Sequence, residues 1–285
     1  MARRAHGDAR RAGFTALLAL CAGVTLTFLA LPLVALFAEV PPADVPGLLG
    51  DPAVKDMLAV TARTNAIANV LILGLGTPTA YLLATRRFRG RALLVTLVEL
   101  PLVLPPAVAG IGLLAAFGAG GLFGDSLQEA GIVLPFSEWA VVLAVTFVAS
   151  PFYVRQAIAA FEGVDPQLPA AARTLGAGPA RTFWRVSLPL AASGLLAGWV
   201  LAFARGIGEF GATIMFASNV RGVTQTLTLG IYEQLDADFE IALAVSVLLV
   251  VLSFAVLLSY KLISAWRVSS STSPSPAGRT VSASR

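Results

Sequence analysis

The chain has 285 residues, of which 57% are hydrophobic and 13% charged, and its mean hydropathy is +0.81. Soluble domains carry about 25% charged residues, so the composition excludes an ordinary soluble protein and points to one embedded in the bilayer. The formal charge of +4 would suit nucleic acid in its sum alone, but the positions of the charges follow membrane topology and imply no nucleic-acid partner.

In chain order, residues 1–13 form a basic arm expected to be disordered and cytoplasmic, with "ARRAHGDARR" at its centre. The apolar run Phe14 to Ala38 that follows is longer than the 7 to 15 residues of a signal-peptide core, and is read as a retained first transmembrane helix. The proline- and glycine-rich stretch "EVPPADVPGLLGDPAVKDM" is a connector. Five further runs reach the roughly 20 apolar residues that span a bilayer: Leu58 to Ala84, Ala92 to Phe117, Trp139 to Ile158, Leu190 to Phe216 and Ile241 to Ile263. Runs such as "VSVLLVVLSFAVLL" are continuous rather than alternating, which excludes a β-barrel. The fold class expected is therefore an all-α integral membrane protein of six transmembrane helices. Within the second outer loop a short helix is predicted at Ser126 to Ala130, capped by Asp125 or Ser126. The tail 268–285, "VSSSTSPSPAGRTVSASR", is expected to be disordered and cytoplasmic.

Arginines mark alternate loops: Arg3, Arg4, Arg10 and Arg11 before the first span, Arg86, Arg87, Arg89 and Arg91 in the loop after the second, Arg155, Arg173, Arg181 and Arg185 in the loop after the fourth. The opposite loops are acidic, with Asp51, Asp56, Asp125, Glu129, Asp236 and Asp238. The positive-inside rule then places both termini in the cytoplasm.

The chemistry available is narrow. His6 is the only histidine and Cys21 the only cysteine, so neither a catalytic triad nor a metal cluster is expected. No G-x-x-x-x-G-K-[ST] phosphate cradle exists, and the only lysines are Lys55 and Lys261. The chain is expected to bind no cofactor itself and not to be an enzyme alone.

Charges inside a membrane are costly and face a cavity or one another. Glu99, Arg205 and Glu209 are such charges, and the spacing of Arg205 and Glu209 places them one turn apart on one helix face. They line a permeation path, or they form an ion pair that packs helices or marks a kink; Gly206, Gly208 and Gly211 suit the second reading. Thr213, eight residues beyond Arg205, recurs near the same face, and with Arg205 and Arg221 it is a candidate anion contact. Glu99 lies about 12 Å into its span, beside Pro101, Pro105 and Pro106, which free backbone carbonyls; such carbonyls are tolerated where they are buried in protein or border a water-filled cavity.

Between the fourth and fifth spans runs "AAARTLGAGPARTFWRVSLPLA", Ala170 to Ala191. "AAARTL" favours a helix, Gly176 and Gly178 a cap and turn, and Pro179 the start of a second helix. From the residues alone this is either a protruding helical hairpin or an amphipathic hairpin lying on the headgroups.

The segment resembles the coupling motif of ABC-importer permeases: E-A-A, three residues, G, nine residues, I-x-L-P. Ala171 and Ala172 match the alanines, Gly176 the glycine, Leu188 and Pro189 the closing pair; Val186 stands for the isoleucine, and Ala170 stands where the family has glutamate. With "LPLVLPPAVAG", "SPFYVRQAIAAFEGVD" and "ARGIGEFGATIMFASNVRG" the chain is most similar to the molybdate permease group, whose relatives carry tungstate or sulfate. The resemblance implies a type I importer permease domain over residues 58–265, in a bacterial or archaeal plasma membrane. It also implies a homodimer, two cytoplasmic ATPase subunits that hold ATP and magnesium, and an external solute-binding protein. The expected function is import of molybdate or a related tetrahedral oxyanion by alternating access. A self-sufficient anion channel or secondary transporter is the alternative, which the coupling motif disfavours.

Overall fold

The computed structural model describes residues 2–40, 47 and 50–271, with side chains described over 13–40, 47 and 50–262. Among the described residues the regular structure is helical throughout. Five helices are long and apolar enough to cross a bilayer, and one bent pair makes a sixth span when its halves are counted together. Of the tail 268–285 expected to be disordered, residues 268–271 continue the last helix, and 272–285 lie outside the described residues.

α1 runs from Ala2 to Glu39, so it includes the arm that the sequence predicts to be disordered. Within its span Gly13–Glu39 none of the most apolar stretch is buried by the chain, and it meets the rest at Leu36 and Val40, which pack on Ala244 and Val247. α2, Pro52–Thr85, starts with Asp51 as N-cap, its carboxylate accepting from the Ala53 N–H at 2.7 Å, and with Pro52 in the first turn.

The core is built on α6, Glu138–Glu162, which packs along α2 and along α9, Leu188–Ile207. Lipid offers no hydrophobic gain for helix pairing, so close approach and dispersion must supply it. Small residues allow that approach. Ala140, Ala144, Ala149 and Ala157 of α6 are fully buried. In the "GLLAG" stretch of α9, a Cβ on Gly194 would lie 2.5 Å from the Cβ of Ala160, and one on Gly198 would lie 2.9 Å from the Cβ of Gln156. Opposite, Gly76 of α2 faces the Tyr153 ring, whose hydroxyl bonds Thr77 at 2.6 Å.

Two of the expected spans are broken. The run Ala92 to Phe117 is α3, Arg91–Val103, followed by α4, Pro106–Phe117, bent by 117°. A residue before proline is pushed out of the helical region, and both Leu104, at ψ 134°, and Pro105, at ψ 131°, obey this. Pro101, by contrast, is absorbed within α3. The run Leu190 to Phe216 likewise ends at Ile207 and resumes as α10, Gly211–Ala217. The two breaks meet, because α10 packs on α4: a Cβ on Gly110 would lie 2.6 Å from the Ala212 carbonyl oxygen, and one on Gly211 2.7 Å from Pro106.

The short helix predicted at Ser126 to Ala130, α5, spans Gly124–Glu129, and neither Asp125 nor Ser126 caps it, since both lie inside it and Phe123 holds the cap position. Completing the fold are α7, Gln167–Thr174, α8, Pro179–Thr182, α11, Leu227–Ala237, and α12, Phe239–Ser271.

Candidate coupling and translocation sites

The loop between the fourth and fifth spans is a helical hairpin. Asp165 accepts from the Gln167 N–H at 2.9 Å as α7 starts. At its end Gly176 takes a left-handed φ of +85°, while Ala177 N–H bonds the Ala172 carbonyl and Gly176 N–H the Arg173 carbonyl, both at 3.0 Å. These two bonds are the Schellman closure, which satisfies the last carbonyls of a helix and favours glycine at this position. A side chain at Gly176 would meet open space, so a substitution there is strained by its φ alone.

The second arm differs from a separate short helix. α8 leads through a π-helical turn, Phe183–Ser187, directly into α9, and Pro179–Ile207 is one rod of 29 residues. The rod is clamped at its base: Phe183 packs on Tyr81 of α2 at 4.7 Å between ring centres, and Tyr81 on Phe161 of α6 at 5.2 Å. Ala170, Ala171 and Pro189 are exposed, Ala172 and Leu188 half-buried, and Leu175 at the tip is 88% exposed. A cleft of about 790 Å³ opens beside α7, lined by Arg87, Arg91, Arg173, Glu162 and Ala170 among others. An exposed apolar tip on a rigid hairpin beside a basic cleft is a surface suited to another protein.

The three charges expected at membrane depth, Glu99, Arg205 and Glu209, fall in two pairs. Arg205 Nη2 lies 2.7 Å from Glu209 Oε2, and the other oxygen of Glu209 accepts from the Ala212 N–H at 2.7 Å. The Glu209 side chain is 1% exposed. It thus ties the end of α9 to the first turn of α10, and its backbone carbonyl accepts from Thr228 at the start of α11 at 2.7 Å. Glu99 lies instead 3.6 Å from Arg155 of α6, the two side chains 38% and 68% exposed.

The break at Gly208 to Phe210 corrects the reading of Arg205, Glu209 and Thr213 as residues of one helix face. Thr213 is carried on α10, fully buried, and its hydroxyl has no hydrogen-bond partner among the described residues. Arg221 sits apart on an exposed turn beside Gly222, whose φ is +73°. That turn is tied down by Thr224, whose hydroxyl accepts from the Val220 N–H at 2.8 Å, and by Glu233, which accepts from Asn219 and Gln225.

A row of buried polar side chains escapes a search for charges. Thr61, Thr64, Asn65 and Asn69 line one face of α2, each at most 5% exposed. Thr61 accepts from the Leu227 N–H at 2.9 Å, and Asn65 donates to the Phe203 carbonyl at 3.3 Å. The signal was present as Thr61, Asn65 and Asn69 at i, i+4 and i+8 in an apolar run. Arg63, on the same helix, pairs with Glu138.

A family profile described as binding-protein-dependent transport system inner membrane component matches residues 72–268. The chain is 46% identical over 235 residues to the molybdenum transport system permease protein ModB of Mycobacterium tuberculosis, an alignment covering 82% of this chain and 88% of that one. It is 44% identical over 186 residues to the protein of the same name from Escherichia coli K12, covering 65% of this chain and 81% of the other. Among solved structures, a bacterial ABC transporter involved in import of the acidic polysaccharide alginate superposes with a TM-score of 0.72 at 17% identity, covering 92% of this chain and 98% of that one. The methionine transporter MetNI, in an inward-facing form, superposes at 0.54 and 20% identity, covering 74% and 93%. These two likenesses concern the fold. The packed bundle and its exposed hairpin are thus those of a transport permease with no ATPase site of its own, and the chain belongs to the inner membrane components of binding-protein-dependent transport systems.

Proposed function

We propose that the chain is the membrane-spanning subunit of an ABC importer that carries molybdate into the cell by alternating access. Supporting this is the hairpin at Gly176, whose residues fall in register with the importer coupling motif in a chain 46% identical to a molybdenum permease. In this reading α7 docks on a cytoplasmic ATPase, two permease copies and two ATPases assemble, and an external solute-binding protein delivers the anion. ATP and magnesium stay on the ATPase, and both termini and the arginine-marked loops face the cytoplasm of a bacterial or archaeal inner membrane. The continuous rod from Pro179 to Ile207 carries motion from the hairpin to the helix break at Glu209. Glu99, Thr213 and Arg221 are candidate contacts along the path, and the Arg205–Glu209 pair shapes it.

The test is reconstitution with candidate ATPases and binding proteins, measuring ATP-driven uptake of molybdate, tungstate and sulfate. Gly176→Val is expected to insert normally and to lose both ATPase binding and transport. Normal uptake by that variant would remove the coupling assignment. Flux without ATP through the permease alone would favour a channel or secondary transporter instead.

A further inference from the structure

The two intramembrane pairs differ in what they leave available. Both oxygens of Glu209 are engaged, one by Arg205 and one by the first turn of α10, and the carboxylate is almost wholly buried. Arg205 is therefore committed to holding a helix break together. Arg155 is not committed: only its Nε approaches Glu99, at 3.6 Å, and its side chain is 68% exposed. No hydrogen bond engages its guanidinium among the described residues.

Depth makes this exposure informative. Arg91 and Glu162 join the adjacent ends of α3 and α6 at 2.5 Å. From there Glu99 is eight residues along α3, and Arg155 seven residues back along α6, about 10 to 12 Å further in at 1.5 Å per residue. The two antiparallel helices thus carry two ion pairs of reversed sense, one at the rim and one at membrane depth. Val95 and Val98 of α3 pack on the core, but the Glu99 and Arg155 side chains stay 38% and 68% exposed, so the chain does not cover this pair itself. An exposed charge pair at that depth is costly against hydrocarbon and belongs against water or a polar partner.

We propose that Arg155, rather than Arg205, meets the translocated oxyanion on the coupling-loop side of the membrane, on a water-filled path that a second copy of the chain completes. Glu99 is the neighbouring charge that keeps the anion from being held. The assignment rests on the importer reading above and names the residue that would carry its anion. A guanidinium offers a planar fork that matches two oxygens of a tetrahedral dianion. A carboxylate 3.6 Å from the Nε competes for the same cation and repels the dianion, which gives a contact strong enough to admit the anion and weak enough to release it.

The experiment uses the whole transporter of permease, ATPase and binding protein in proteoliposomes, with Cys21→Ser removing the native thiol. Arg155→Cys is treated with a membrane-impermeant, negatively charged methanethiosulfonate from the ATPase side and compared with Phe254→Cys, an exposed apolar position on α12. Only an ionised thiol in water reacts well, so Arg155→Cys is expected to react at least about tenfold faster than Phe254→Cys. Adding Glu99→Gln should raise that rate by about two- to threefold, because it removes the charge that repels the reagent. In transport, Arg155→Gln should lower molybdate uptake by about tenfold while binding-protein-stimulated ATP hydrolysis persists, and Arg155→Lys should restore part of the uptake. Labelling of Arg155→Cys as slow as that of Phe254→Cys would overturn the proposal, and so would full uptake by Arg155→Gln. Failure of the unmodified transporter to take up any oxyanion overturns the importer reading instead; the two are separable because labelling requires no transport.

Discussion

The two interruptions in the bundle, at Leu104 to Pro105 and at Gly208 to Phe210, place short helices against each other but have different causes. The first rests on covalent geometry: two consecutive prolines disfavour the helical region for the residues before them, and both Leu104 and Pro105 leave it. The second contains no proline. It is held by Glu209, whose carboxylate joins Arg205 to the Ala212 N–H and whose carbonyl receives Thr228. A break of the first kind belongs to the local chain; one of the second kind belongs to the contacts, and a single side chain can release it.

Removing that side chain should therefore have the largest effect. Glu209→Ala leaves Arg205 unpaired and the first turn of α10 uncapped, and is expected to destabilise the protein by about 3 kcal/mol, the lower end for a broken buried pair because Arg205 is 27% exposed. Thermal unfolding of detergent-purified protein measures this, and Glu209→Gln, which keeps an acceptor for Ala212, should lose less. An Ala variant as stable as the unmodified protein would mean that the second break is as local as the first. Next, Gly110→Val should cost about 1 to 3 kcal/mol, because its side chain would press on Ala212 and Met215 where the two breaks meet. Gly112→Val, on the same helix but facing open space, is the control and should be close to neutral. The smallest effect is expected for Pro105→Ala, at most about 1 kcal/mol, since Pro106 still holds residue 105 out of the helix. Spin labels on α3 and α4 should report the same separation before and after, and a straightened pair would show that both prolines are needed.

This difference also explains what could be read from the chain. Six apolar stretches, the hairpin turn at Gly176 and the disturbance around Pro105 are properties of short windows of residues, and windows reveal them. The size of the bend at Pro105 depends on how α4 packs against α10, and no window contains both. The break at Gly208 was harder still: glycines in a membrane helix signal close packing as readily as interruption, and the contacts that decide the matter come from Arg205, Ala212 and Thr228 together. Arg205 and Glu209 were found as charges one turn apart, with an ion pair as one of two readings, and they do pair, but the helix assumed to carry Thr213 with them does not exist. Thr61, Asn65 and Asn69 were passed over because uncharged polar residues cost little in an apolar count, although their spacing lines them up on one face. Arg155 was grouped with the arginines of the loop after the fourth span, whereas α6 continues to Glu162 and carries it inward of the rim.

The isolation of α1 has a mechanical consequence. Its span of 27 residues is about 40 Å long at 1.5 Å per residue, against a hydrocarbon layer of about 30 Å. A packed helix has its angle set by its neighbours, but among the described residues α1 meets the bundle at Leu36 and Val40, near one end. Surplus length of this kind is absorbed by tilting, kinking or local thickening of the bilayer, which vary with the thickness of the surrounding lipid. α1 thus takes its orientation from the bilayer, while the remaining helices take theirs from one another.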